Sequence, residues 1–190
     1  MKNVTILNGI ADDHYLDFEN QLQEIKSKNK ERFKLDCFTL RKMDIKYCCG
    51  CWSCWMKTPG ECSQKDEMPQ ILRSIIHSDL TVFTTPVVMG FVSSHIKKVN
   101  DKMIPLVHPH IGIFGNECHH LKRYEKYPAL GLMLLGESGQ EAGKEDLTRE
   151  NQSIITDIYK RMAINMKTEL AFSIFSKGDA EVLENEINRI

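Results

Sequence analysis

The sequence predicts a single α/β domain over residues 1–190, with a five-stranded parallel sheet between two layers of helices. Two observations carry this prediction: apolar runs alternate with segments of helical periodicity, and most of these runs are almost continuously apolar. Continuous apolar runs are typical of parallel strands that are covered on both faces. Because each run is followed by a helical segment, we expect right-handed crossovers and the strand order 2-1-3-4-5.

Five segments are predicted to be strands. Four of them are apolar almost throughout, whereas the second in chain order alternates apolar residues with charged ones. The predicted strands span residues 4–7, 33–40, 80–84, 129–135 and 170–175.

Five segments place apolar residues at helical spacing. The clearest begins at Met68 and follows the i, i+3, i+4, i+7, i+8 pattern. Asp66 is its expected N-cap, and Pro69 lies in the first turn, where the missing N–H costs little. The other predicted helical faces span residues 15–25, 96–103, 154–162 and 182–190.

Composition argues against several classes of protein. The net charge is -1 with 27% charged residues, which does not favour nucleic acid or an anionic membrane as a partner. No apolar run approaches the length of a membrane span, and the first residues lead into a strand-like run rather than a signal peptide. We therefore expect a cytoplasmic protein with no nucleic-acid or membrane partner.

Cysteines are concentrated in one segment: five of the seven lie between residues 48 and 62. The regularly spaced members, in a C-x2-C-x2-C-x7-C pattern, are Cys48, Cys51, Cys54 and Cys62. Gaps of two residues let successive thiolates point at one centre, which predicts an iron–sulfur cluster or a zinc site. Two alternatives stay open: an apolar loop packed around Trp52 and Trp55, and a redox disulfide.

A second long segment, residues 105–128, carries four of the seven histidines. Segments of this length in compact domains are often functional or interfacial. We expect a solvated loop here, or a loop that covers the active site of a neighbouring subunit.

Four motifs occur in order along the chain: the cysteine segment, Asp66-Glu67-Met68, the run Thr-Pro-Val-Val-Met-Gly at residues 85–90, and a Lys97 to Asp101 helix end. Together they resemble the NADPH-dependent FMN reductase and iron–sulfur flavoprotein family. The resemblance implies a flavodoxin-like fold that binds FMN, is reduced by NAD(P)H and passes electrons to an acceptor that the sequence does not identify. It also implies a homodimer, because the flavin edge in this fold needs covering.

The resemblance further implies which residues contact the cofactor. They lie in the loops after three strands and are Asn8, Gly9, Pro86, Val87, Val88, Met89, Gly90, Gly136, Glu137, Ser138 and Gly139. In the iron–sulfur members of the family the compact cysteine motif holds a four-iron cluster, and the spacing of the four cysteines here matches that motif. No side chain is expected to act as a catalytic acid or base, because the cofactor carries the redox chemistry.

Two positions depart from the family pattern. The first loop of the family usually seats the flavin phosphate at a helix N-terminus, whereas this chain has Asp12 and Asp13 there. A like-charge pair about 5 Å apart costs about 3 kcal/mol at an effective dielectric near 20, or about a hundredfold in affinity for FMN. The second departure is Val88, which stands where the family often has an aromatic residue.

Three functions therefore remain open at the level of sequence. They are an FMN-dependent NAD(P)H oxidoreductase, an iron–sulfur flavoprotein for electron transfer, and a degenerate member that no longer binds FMN and acts as a partner subunit. The cysteine spacing favours the second function, and the acidic pair favours the third.

Overall fold

The structure is a computed structural model that describes residues 1–136 and 149–190. Strands and helices alternate along most of this length. In chain order they are β1 (Lys2–Asn8), α1 (Leu16–Lys28), β2 (Phe33–Thr39), α2 (Ser53–Met56), α3 (Met68–His77), β3 (Leu80–Val88), β4 (Phe91–Val92), α4 (Ser94–Asp101), β5 (Val107–Phe114), β6 (Glu117–Lys122), β7 (Ala129–Leu135), α5 (Arg149–Met166), β8 (Leu170–Ser176) and α6 (Glu181–Arg189). Three 3-10 turns, Asp13–Tyr15, Leu40–Lys42 and Ile104–Leu106, lie between them.

The central sheet has its five long strands in the order β2-β1-β3-β7-β8. All four pairings between them are parallel. Numbered by long strands alone, this is the order 2-1-3-4-5, so the predicted topology is confirmed. The five predicted helical faces correspond to α1, α3, α4, α5 and α6.

The predicted count of five strands misses β4, which pairs antiparallel with the end of β3. The two are joined by a two-residue turn in which Met89 and Gly90 have φ of 50° and 75°. Positive φ at both central residues is the type I′ geometry that suits a tight hairpin. A strand of two residues is too short to produce a periodic pattern, which is why the sequence did not reveal it.

The prediction of a loop over residues 105–128 is wrong for most of that segment. β5 and β6 form a separate antiparallel hairpin that closes through Gly115 and Asn116, both with positive φ. A Gly-Asn pair between two strand-like runs is a hairpin signal. The histidines and charged residues on either side interrupt the apolar runs, so the two strands lack the alternation that would have predicted them.

Apolar cores cover both faces of the sheet, because alternate residues of a strand point to opposite faces. Ile6 and Val82 pack with α1 and α6, whereas Leu7 and Phe83 pack with α3, α4 and α5. The strands are therefore apolar at successive positions, which explains their continuous pattern. Within the described ranges, no helix is both long and apolar enough to cross a membrane.

A fully buried ion pair ties the cysteine-bearing segment to α4. Lys102, just after α4, donates from Nζ to Asp66 and to Gln64 Oε1 at 3.1 Å. Asp66 also accepts from the amides of Lys46 and Met68. Burial by itself would raise the pKa of Asp66, but these hydrogen bonds outweigh it and lower the pKa below its usual value. The N-cap residue of α3 is Glu67 and not Asp66 as expected. Asp66 nevertheless accepts a hydrogen bond from the amide of Met68, the first residue of the helix.

We expect Lys102→Met to lower the free energy of unfolding by about 3–5 kcal/mol, because it leaves the Asp66 carboxylate buried without its cation. The matched control is Lys97→Met on the same helix, which removes an exposed pair with Asp101 and should cost no more than about 1 kcal/mol. Urea denaturation measures both values. Equal losses in the two variants would mean that the buried pair has no special weight.

Candidate functional site

The carboxyl ends of β1 and β3 form the point at which the strand order reverses. The helix after β1 and the helix after β3 lie on opposite faces of the sheet. In open α/β sheets such a reversal opens a crevice at the carboxyl edge, and ligands bind there. The loops that leave β1 and β3 are joined directly, since Gly9 N donates to Thr84 O at 2.8 Å.

The first loop is packed tightly against the start of α4. Gly9 O accepts from Ser93 Oγ at 2.6 Å, and a Cβ on Gly9 would lie 2.3 Å from Ile96 Cγ1. Only glycine allows this approach. The neighbouring Asn8 is buried, and its amide accepts from Ile10 N and donates to Glu19. Asn8 and Gly9 therefore shape the loop, and the Asn8 side chain is already committed to partners within the chain.

The second loop is the hairpin turn between β3 and β4. Of its residues, Val87 is buried, while Val88 and Met89 are 48% and 89% exposed. Pro86 is in register with Leu135, the last residue of β7. The turn thus presents two adjacent apolar side chains to solvent at the carboxyl edge, where they could cover one face or edge of a planar ligand.

The third loop begins at Gly136, which is buried at the end of β7. Its carbonyl accepts from the Tyr15 hydroxyl at 2.6 Å, and its amide donates to Ser176 O at 3.0 Å. Tyr15 precedes α1, so this contact joins the loop after β1 to the end of β7. The predicted contact residues Glu137, Ser138 and Gly139 lie outside the described residues.

A charged network that the sequence did not reveal lies beside the first loop. Arg41, only 10% exposed, donates to both carboxylate oxygens of Glu19 and to Asp13 Oδ1 at 3.0 Å. The hydrogen bond from Arg41 is the main cause that lowers the pKa of Glu19. The earlier estimate of about 3 kcal/mol treated Asp13 as an unpaired charge. That assumption is wrong, because Asp13 is paired with Arg41.

The cysteine segment is anchored by its aromatic residues. Trp55 donates from Nε1 to the carbonyls of Ile104 and Val107, both at 3.0 Å. Trp52 stacks on Trp55 with ring centroids 5.0 Å apart and has a φ of 58°. The expected packing of the two tryptophans is therefore present, although Trp52 stays half exposed.

The four regularly spaced cysteines share one region but do not form a closed ligand set. All seven cysteines are free thiols, and those at 48, 49 and 51 are exposed. Within residues 1–136 and 149–190, no group of three or more His, Cys, Asp or Glu side chains is arranged to hold a metal ion. The pKa of Cys54 is raised by burial and by the nearby Cys62, Cys48 and Cys51. The donor chemistry thus suits a cluster, but the sulfurs would have to move together to bind one.

Comparisons with known proteins agree with this architecture. No family model matches the chain. An iron-sulfur flavoprotein from Archaeoglobus fulgidus is 31% identical over 84 residues, which is 44% of this chain and 37% of that protein. A second iron-sulfur flavoprotein of that organism is 31% identical over 80 residues, or 42% of this chain and 37% of its own length. The matched region is therefore little more than a third of either relative.

Solved structures match over the whole chain at low identity. An FMN-dependent NADH-azoreductase from Bacillus anthracis, determined in complex with FMN, has a TM-score of 0.60 and 14% identity, covering 100% of this chain and 95% of that one. An NADH:FMN oxidoreductase in its apo form has a TM-score of 0.54 and 11% identity, covering 100% and 88%.

The chain has the flavodoxin-like fold. In that fold FMN lies at the β1/β3 switch point. The predicted residues Asn8, Gly9 and Gly136, together with residues 86–90, all lie at this edge, in the last residues of β1 and β3 or in the turns that follow the strands. The residues predicted from the sequence therefore meet at one edge of the flavodoxin-like sheet, whereas Glu19 and Arg41, which lie beside them, had no signal in the sequence. Arg41 follows β2, and only the pairing of β2 with β1 brings it to this edge.

The thiol of Cys51 has a lowered pKa. Hydrogen bonds from the hydroxyl and amide of Ser53, and then from Ser63, lower its pKa to about 6. Burial instead raises the pKa of Cys37 to about 11. In metal-free protein the Cys51 thiolate should accumulate as the pH rises through about 6.

Alkylation by iodoacetamide, followed by peptide mass mapping across a range of pH, should therefore label Cys51 at lower pH than Cys37. Ser53→Ala should move the midpoint of Cys51 labelling to higher pH. Ser27→Ala on α1 is the control and should not move it. Labelling of Cys51 with the midpoint of an ordinary thiol would contradict this expectation.

Proposed function

We propose that the chain is an FMN-dependent NAD(P)H oxidoreductase. The observation that carries the proposal is the exposed apolar turn at Val88 and Met89, which lies at the edge where this fold binds FMN. Two further findings support it. Relatives matched over part of the chain are named iron-sulfur flavoproteins, and a structure matched over the whole chain was determined with FMN.

The residues present fit the ring end of the cofactor. The backbone of residues 86–90 would face the isoalloxazine, and the positive φ of Met89 and Gly90 keeps that turn tight. Val88 and Met89 would shield an apolar ring from water. The hydroxyl of Thr84, at the same edge, is buried with no hydrogen-bond partner among the described residues. Buried polar groups normally have such a partner, and a polar atom of the bound cofactor would supply one.

The chain's own residues bind and orient the ring, while FMN when bound supplies the two-electron redox chemistry. NAD(P)H is the proposed reductant of the bound flavin. Tyr15 and Ser176 hold Gly136 in place and so frame the opposite side of the crevice. The free cysteines favour action in a reducing compartment such as the cytoplasm.

A homodimer is part of the proposal. The β5–β6 hairpin exposes Ile111 and Ile113, which are two residues apart and so lie on one face of β5. Exposed apolar side chains that are contiguous mark interaction surfaces more often than isolated ones do. A second copy that covers them would also supply the protein surface that the flavin edge needs.

Val88→Asp tests the ring contact. A carboxylate beside the apolar ring should weaken FMN binding by about tenfold or more, because it would be desolvated without a partner. Since Val88 is half exposed, the melting temperature should hardly change. Ile190→Asp is the matched control, because Ile190 is similarly exposed, at 42%, and follows α6 away from this turn, and it should leave FMN affinity unchanged. Quenching of flavin fluorescence measures affinity, and equal effects of the two variants would refute the assigned ring site.

A second candidate function, an iron–sulfur flavoprotein for electron transfer, is favoured by one observation. The thiols of Cys48, Cys51, Cys54 and Cys62 lie close enough together to perturb the pKa of Cys54. In this function the four thiolates would ligate a cluster, and Cys49 would not, because it breaks the two-residue spacing.

Replacement of single cysteines distinguishes a ligand loop from a packed one. In protein purified without oxygen, Cys51→Ser should abolish iron binding and the associated charge-transfer colour, whereas Cys49→Ser should retain both. Iron and zinc assays with absorption spectra provide the measurement. Wild-type protein that contains neither metal under these conditions would exclude the cluster and leave the packed loop.

A further inference from the structure

We infer that this flavin site does not bind the terminal phosphate of the cofactor, because a network of the chain's own charged side chains lies where the phosphate would otherwise be held. The network consists of Asn8, Asp13, Glu19 and Arg41. The inference rests on the proposed function. It makes the neutral part of the flavin, the ring and its ribityl chain, the group that the site recognises.

A phosphate in this fold would lie at the loop after β1. Such anions are normally held by backbone amides and by the N-terminus of the following helix. In this chain the corresponding end of α1 already carries three carboxylates. Asp13 lies in the preceding 3-10 turn, and Asp17 and Glu19 lie in the first turn of α1. These carboxylates already interact favourably with the helix dipole.

The cation near this position, Arg41, is already paired with carboxylates of the chain. Arg41 forms a bidentate pair with Glu19 and a further bond with Asp13, and its side chain is 10% exposed. Bidentate arginine–carboxylate pairs are among the stronger charged contacts. Glu19 is itself only 15% exposed and also accepts from Asn8 Nδ2 at 2.6 Å. Transfer of Arg41 to a phosphate would leave the Glu19 carboxylate largely buried without its partner.

The charge of the network opposes a second anion. One guanidinium set against two carboxylates leaves a net negative charge on these bonded groups. A phosphate monoester carries about -1.5 to -2 charges near pH 7. Even after solvent screening, the phosphate should add nothing to affinity at this position. Riboflavin, which lacks the phosphate, should then bind as well as FMN.

Parallel titrations of the full chain with FMN and with riboflavin test the inference. The two dissociation constants of the wild type should agree within about threefold, by flavin-fluorescence quenching at low and at high salt. Two variants, Asp13→Asn alone and Asp13→Asn combined with Glu19→Gln, should tighten the binding of FMN relative to that of riboflavin. For the double variant the ratio of the two dissociation constants should change by about tenfold, while the affinity for riboflavin stays the same. Glu24→Gln is the matched control: it removes an exposed carboxylate from α1 beyond its first turn, and it should leave the ratio unchanged.

The outcomes separate this inference from the proposed function. Wild-type protein that binds FMN more than about thirtyfold tighter than riboflavin would overturn the inference and leave the proposed function intact. Absence of binding for both flavins would reject the proposed function, and the inference with it. If the double variant does not fold, Asp13→Asn, which alters a carboxylate that is 75% exposed, carries the test.

A measurement without flavin gives an independent answer. Inorganic phosphate should not raise the melting temperature of the wild type but should raise that of Asp13→Asn combined with Glu19→Gln. A rise in the wild type that Arg41→Gln abolishes would show a working phosphate site and overturn the inference.

Discussion

The structure depends on one constraint: both faces of the parallel sheet must be covered. Ile6 and Val82 point to one face, and their neighbours Leu7 and Phe83 point to the other. A sheet that is apolar on both faces is stable only between two layers of helices. Parallel strands joined through such helices bring all of their carboxyl ends to one edge. The candidate site therefore lies where it does because of the way the core is built.

The same constraint places unusual demands on the loops at that edge. The loop after β1 must pass between the end of β3 and the start of α4, and Gly9 meets Ile96 at a distance that no side chain allows. The hairpin after β3 instead turns outwards, and its apolar tip is left in solvent. The loop after β1 is thus tightly packed, whereas the turn after β3 stays exposed and available to a ligand. This difference is the physical basis for assigning the ring end of a flavin to the second loop.

Two ion pairs hold connecting segments of the chain in place. Lys102 and Asp66 are fully buried and fasten the end of the cysteine segment beneath α4. Arg41 and Glu19 lie at the carboxyl edge and fasten the turn after β2 to α1. Both pairs are supported by further hydrogen bonds, as buried charges require. By our inference the Arg41–Glu19 pair has a further effect: its charges disfavour the binding of a phosphate group at the loop after β1.

The sequence by itself determined the five long strands, the five main helices and the order of the sheet, because hydrophobic periodicity is a local property and chain alternation restricts topology. It also grouped residues 8–9, 86–90 and 136 at the ends of three strands, although β3 continues to Val88 and does not end at residue 84 as predicted. The β5–β6 hairpin had a local signal in Gly115 and Asn116, and competing polar composition concealed it. Only the tertiary structure decided that Asp13 is paired, that Arg41 and Glu19 lie beside the end of β1, and that the four cysteine thiols share a region without closing into a ligand set. The charged contacts depend on residues far apart in the chain, which meet only after β2 has paired with β1, so no spacing along the sequence encodes them. The cysteines are close in sequence, but the direction of each thiol depends on how their segment packs through Trp55.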